Sequence, residues 1–126
     1  MSERAALHAD VFETVKAVGL TLPGVEAAIR YDGSPVLRLG GCFMAGIATY
    51  PSAELGTLVV RSGLEEREWL IADAPETYYL TDDYRPHPVM LVRLASIDRD
   101  ALRDLLSVSW RLTSAKTRKT RGPQQT

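Results

Sequence analysis

The chain has 126 residues, 45% of them apolar and 25% charged, with a formal net charge of −1. That is the length of one domain, enough for a single buried core, and the near-neutral balance excludes a generally basic nucleic-acid binder. One cysteine, Cys42, excludes an intrachain disulfide and a thiolate metal cluster. The charge is nevertheless uneven. No acidic residue follows Asp104, whereas Arg111, Lys116, Arg118, Lys119 and Arg121 do, so a basic end follows a mildly acidic body. The opening MSERAALHADVF carries charges where a signal peptide would carry an apolar segment. No apolar run approaches the roughly 20 residues of a spanning helix, and the expectation is a cytoplasmic protein with no membrane partner.

In chain order, Leu7, Val11, Val15 and Val18 recur at helical spacing and predict a helix over 3–18, with Ser2 as N-cap and Gly19 as a left-handed C′ residue. From Leu22 to Thr49 the chain alternates short apolar runs with Pro23-Gly24, Asp32-Gly33-Ser34-Pro35 and Gly40-Gly41. Those clusters punctuate structure, so the stretch reads as an antiparallel meander with a tight hairpin at Gly40-Gly41. Thr57 to Arg61 is a fourth strand. Ser62-Gly63-Leu64-Glu65 reads as a capping box opening a helix that Pro75 stops. Thr77 to Thr81 is a short strand by its aromatics and threonines. The prolines of the 82–88 stretch prevent regular structure, and Val89 to Leu94 is apolar enough to be central. Asp98 caps a last helix carrying Ala101, Leu102, Leu105, Leu106, Ser109 and Leu112 on one face, with Trp110 off that stripe. The fold class is α+β: one domain over 1–115, its antiparallel sheet of four meander strands plus two more packed by N-terminal, middle and C-terminal helices. A basic, disordered tail is expected over 116–126.

The order and wording of these segments resemble the MmcQ/YjbR family: LPGVE, YDGSPVLRLGGCFMAGI, APETYYLTDDYRPHPVMLVRL and a last helix ending SWRLTSAK. The resemblance covers the chain to about Lys116. It implies a compact YjbR-like α+β fold, similar to type III secretion chaperones and to a double-wing (CyaY-like) DNA-binding domain. It implies no catalytic residues and no cofactor. Members are commonly labelled DNA-binding through that fold analogy, which speaks weakly to function. One position departs from the family's pattern, which has lysine or arginine after the Gly-Gly turn where this chain has Cys42.

Several clusters are candidates for chemistry. Lys116, Arg118, Lys119 and Arg121 can neutralise phosphates and release counterions, or simply solvate the chain's end. Tyr78, Tyr79, Tyr84, Arg85 and His87 combine stacking faces with cations, although tyrosines at a strand end are also ordinary core residues. Arg30, Arg38 and Arg93 interrupt apolar strands; they form a basic patch if they share one sheet face, or mark its solvent side. Asp82, Asp83 and His87 read better as turn formers than as metal ligands. Cys42 lacks an adjacent base and reads as a small core residue rather than a nucleophile.

The function expected is therefore a non-enzymatic DNA-binding or regulatory module. Lys116, Arg118, Lys119 and Arg121 supply phosphate affinity, and Arg85 and Tyr84 orient the ligand. The alternative is a homodimeric protein-interaction module of the secretion-chaperone kind, holding a partner's extended segment at the sheet edge.

Overall fold

The computed structural model describes the backbone of residues 3–121 and the side chains of residues 11–117. Three helices, α1 (Glu3–Gly19), α2 (Leu64–Asp73) and α3 (Arg99–Arg121), accompany six strands: β1 (Val25–Ile29), β2 (Pro35–Leu39), β3 (Cys42–Ile47), β4 (Thr57–Arg61), β5 (Tyr78–Tyr79) and β6 (Val89–Arg93). The strands form one sheet in the order β1-β2-β3-β4-β6-β5, and every neighbouring pair is antiparallel. The α+β meander expected from the sequence is present. The last strand in the chain slots between β4 and β5, and β5 is cut to two residues at the sheet edge.

The Gly40-Gly41 hairpin has φ of 58° and 80° at its two central residues, the left-handed pair that a two-residue turn requires. Next to it, the β2–β3 register shifts between Leu37 and Arg38. Leu37 faces Ala45 and Arg38 faces Phe43, so Met44 has no partner on β2. This bulge gives β3 two faces at once: Met44 and Ala45 both enter the core on the helix side, and Phe43 turns to the opposite face. The orphaned Met44 carbonyl accepts a 2.9 Å hydrogen bond from Ser109 Oγ of α3, and the Phe43 carbonyl accepts two from Arg61. Buried main-chain acceptors freed by a bulge must find such partners.

The larger core lies between the sheet and the helices, where Phe12, Val15 and Val18 of α1 and Leu102 and Leu106 of α3 meet Leu37, Met44, Leu58, Val60, Met90 and Val92. A smaller cluster on the far face gathers Val59, Tyr84, Val89 and Leu91 under the loops between strands.

Four local expectations need correction. Gly19 ends α1 with no left-handed φ; it is a close-approach glycine, where a methyl would overlap Leu37 Cδ1. The Ser62 capping box does not form, because Gly63 occupies the N-cap and Ser62 Oγ instead donates to the Gly63 carbonyl. The strand expected over 77–81 pairs only at Tyr78 and Tyr79. Finally, the segment from Lys116 to Arg121 continues α3 as helix, and Thr117 is docked: Gly40 lies against its side chain, and its Oγ1 donates to Thr113 O. Ser2, the side chains of Leu7, Arg118, Lys119 and Arg121, and residues 122–126 lie outside the described residues. Asp98 does cap α3, accepting a 2.8 Å hydrogen bond from the Ala101 N–H. Trp110, off the stripe as expected, donates its indole N–H to Pro23 O at 2.8 Å.

Candidate functional site

On the sheet face opposite the helices, a cleft of about 380 Å³ opens between β3, β4 and the loops that follow β3 and precede β6. Arg30, Arg61, His87 and Lys116 line it together with Phe43 and Tyr50, and no carboxylate is among its lining residues. These four side chains reach it from different places in the chain. Arg30 follows β1, and Arg61 ends β4 at the spacing of two from Val59 that puts it on this face. His87 sits in the proline-rich loop, and Lys116 is near the end of α3.

The two arginines are fixed by main-chain carbonyls. Arg30 Nη1 donates to Ile47 O at 2.8 Å and to Ser34 Oγ at 3.1 Å, and its guanidinium carbon lies 5.7 Å from the Phe43 ring centroid. Arg61 Nε and Nη2 both donate to Phe43 O, at 3.0 and 2.9 Å. Burial pulls the Arg30 guanidinium below its ordinary value, opposed by Asp32 and Tyr84 and assisted by Arg38. An arginine so shifted is still charged near neutrality. Gly46 makes room for this arrangement: a Cβ there would lie 2.5 Å from Arg30 Nη2 and 3.2 Å from Phe43 Cε1.

The loop on the far side of the cleft is held from behind by Arg67 of α2. This side chain is 6% exposed, and its Nη1 donates to the carbonyls of Arg85, His87 and Val89 at 3.3, 2.8 and 3.2 Å. Its Nε is buried without a partner. Tyr84 is also 6% exposed; its hydroxyl accepts the N–H groups of Thr49 and Tyr50, both at 3.2 Å, tying the two loops together.

The sequence candidates divide accordingly. Lys116 and His87 line the cleft. Tyr84 lines it too, as a buried tie between loops rather than a ring open to stacking. Arg85 is exposed and paired with Asp82 at 3.6 Å. Arg93 lies apart from the cleft: it grips Glu54 through two hydrogen bonds of 2.9 and 2.7 Å, donates to Pro75 O and lies 4.2 Å from the Tyr79 ring centroid. Arg38 is exposed on the same face as Arg30 without lining the cleft. Asp83 accepts from Ser52 Oγ at 2.6 Å, and among the described residues no group of three His, Cys, Asp or Glu side chains is placed to hold a metal ion. Cys42 is half-buried, its Sγ 3.8 Å from Thr117 Oγ1. Arg61, Tyr50 and Arg67 were not singled out from sequence. Only Arg61 carried a signal, as the charged residue closing an apolar strand.

Protein-family models, curated proteins and solved structures were each searched for similarity to this chain, and none matches.

Proposed function

We propose that this protein is a non-enzymatic nucleic-acid-binding or regulatory module of the MmcQ/YjbR kind, with phosphate-dependent affinity seated in the cleft between β3, β4 and the proline-rich loop. One observation carries the reading: Arg30, Arg61, His87 and Lys116 line a single concavity that no carboxylate lines. The two arginines and the lysine so gathered attract a polyanion and release its counterions. Arg118, Lys119 and Arg121 follow Lys116 in the sequence and add to the positive charge of this end of the chain.

The test is binding of the purified protein to labelled mixed-sequence DNA, duplex and single-stranded, at about 50 and about 200 mM salt. Affinity that falls steeply with salt supports the reading, with a slope of about −0.7 to −0.9 per phosphate neutralised. No binding at the lower salt refutes it.

A second reading, the secretion-chaperone-like interaction module, is favoured by the other side of the sheet. β1 is an edge strand, and Ile29 and Tyr31 at its end are exposed. Such an edge can pair with a partner's extended segment or with a second copy. A monomer by light scattering that Ile29→Lys leaves unchanged would argue against self-association there.

A further inference from the structure

The cleft's shape and its one exposed aromatic bear on which polymer it takes. Tyr50 stands among the lining residues with 51% of its surface exposed. Its ring meets Tyr84 edge-on, with centroids 5.2 Å apart and planes at 83°, and its main-chain N–H is bonded to the Tyr84 hydroxyl. Tyr84 is itself buried. The Tyr50 ring is thus fixed by a buried neighbour while half of its surface stays exposed at a cleft lined by arginine and lysine.

A duplex offers its phosphates on the outside of a convex rod, and its base faces are stacked away from the protein. Arg30 and Arg61 are half-buried and bonded to carbonyls of the sheet, so their charge lies within a recess. A volume of about 380 Å³ suits a small group rather than a rod. A single strand can turn one nucleotide into such a recess, and every base has a face to stack on an aromatic ring.

Building on the reading above, we infer that the cleft binds single-stranded nucleic acid, one nucleotide entering with its phosphate toward Arg30, Arg61 and Lys116 and its base on Tyr50. Phosphate charge supplies salt-dependent affinity, and the ring supplies a salt-independent part.

The experiment measures the affinity of the full chain for mixed-sequence oligonucleotides of one length, as single-stranded DNA, single-stranded RNA and duplex DNA, with Tyr50→Ala and Tyr50→Phe alongside. Single strands of one or both sugars bind at least about 10-fold tighter than duplex. Tyr50→Ala loses roughly 5- to 150-fold of single-strand affinity with the salt slope unchanged, and Tyr50→Phe restores it. The Tm of each variant, measured alongside, separates loss of stacking from loss of fold, since the ring also packs on Tyr84. Duplex bound as tightly as single strand, or full single-strand affinity in Tyr50→Ala, overturns this inference and leaves phosphate binding standing. Failure to bind any of the three polymers at low salt overturns both.

Discussion

Gly46→Ala moves one cleft cation without removing its charge. The added methyl would lie 2.5 Å from Arg30 Nη2, 3.1 Å from Val36 Cγ2 and 3.2 Å from Phe43 Cε1. Arg30 Nη2 is the end of a flexible side chain and can swing away. Its departure gives up the Nη1 bonds to Ile47 O and Ser34 Oγ. Bonds from a charged donor contribute about 1.5–3 kcal/mol each, but a half-exposed guanidinium regains water, so the net loss falls toward 1 kcal/mol. Val36 and Phe43 must also give by a few tenths of an ångström. The expected destabilisation is about 1–3 kcal/mol, read as a fall in Tm of roughly 4 °C per kcal/mol.

The binding consequence is separate and more telling. If Arg30 contacts a phosphate from its present position, Gly46→Ala loses that contact, and the salt slope for a single strand becomes shallower by about 0.7. Arg30→Gln should give the same change in slope, since it deletes the charge where Gly46→Ala displaces it. Salt titrations of both variants, followed by fluorescence anisotropy at a temperature where each is folded, make the comparison. A Gly46→Ala protein that is destabilised as expected yet keeps the wild-type affinity and slope would refute the placement of Arg30 at the ligand.

Further outcomes follow from other contacts. Arg67→Met should destabilise by about 2–4 kcal/mol, because three carbonyls lose their donor. Hydrogen exchange should speed first around residues 85–89, and uniform exchange across the sheet would contradict the loop-holding role. Arg118→Gln, Lys119→Gln and Arg121→Gln together should weaken polymer binding and reduce the salt slope while Tm stays within a degree or two; truncation after Ala115 is a poorer test, since it removes the docked Thr117. Hydrogen bonds from Arg93 hold the Glu54 carboxyl below its ordinary range, and those from the Ser34 hydroxyl and N–H do the same for Asp32. Both shifts are downward, so their stabilisation is present above about pH 4 and is lost as pH falls through the depressed folded values. Denaturant titrations from pH 5 to pH 2 should show this decline, shallower in Glu54→Gln; an identical decline in that variant would refute the Glu54 part.

Elements with local signals were legible in the sequence. The Gly40-Gly41 hairpin, the Asp98 cap and the helical stripe of α3 each depend on residues within a few positions of one another, and each stands where it was expected. What escaped depends on distant partners. The insertion of β6 beside β4 is a choice between edges that no local pattern encodes. Gly19 looked like a helix terminator because its neighbour Leu37 is far off in the chain. The bulge at Met44 has no sequence signature here, yet it decides that Phe43 faces the cleft and that its carbonyl is available to Arg61. The cleft itself escaped for the same reason: Arg30, Arg61, His87 and Lys116 are scattered through the chain, and only the register of the sheet assembles them.

The arginines of the far face carry the strongest argument that this assembly serves a ligand. Arg93 shows how the fold treats a cation that only braces structure, by surrounding it with a carboxylate, two carbonyls and a tyrosine ring. Arg30 and Arg61 lie on the same face, are half-buried, and are held by Ile47 O, Ser34 Oγ and Phe43 O with no salt bridge among the described residues. Holding a partly desolvated charge without a direct ion pair costs stability, and burial lowers the Arg30 pKa even though Asp32, joined to it through Ser34, opposes the shift. A guanidinium has five N–H donors, so the bonds that fix these two side chains leave capacity for an acceptor arriving from outside. A fold that pairs Arg93 with a carboxylate and leaves Arg30 and Arg61 without a salt bridge among the described residues at a shared cleft supports the proposed anion site. Replacing Arg61 with methionine should therefore cost more binding than replacing Arg93 with methionine, and equal losses in the two variants would refute the placement of Arg61 at the ligand.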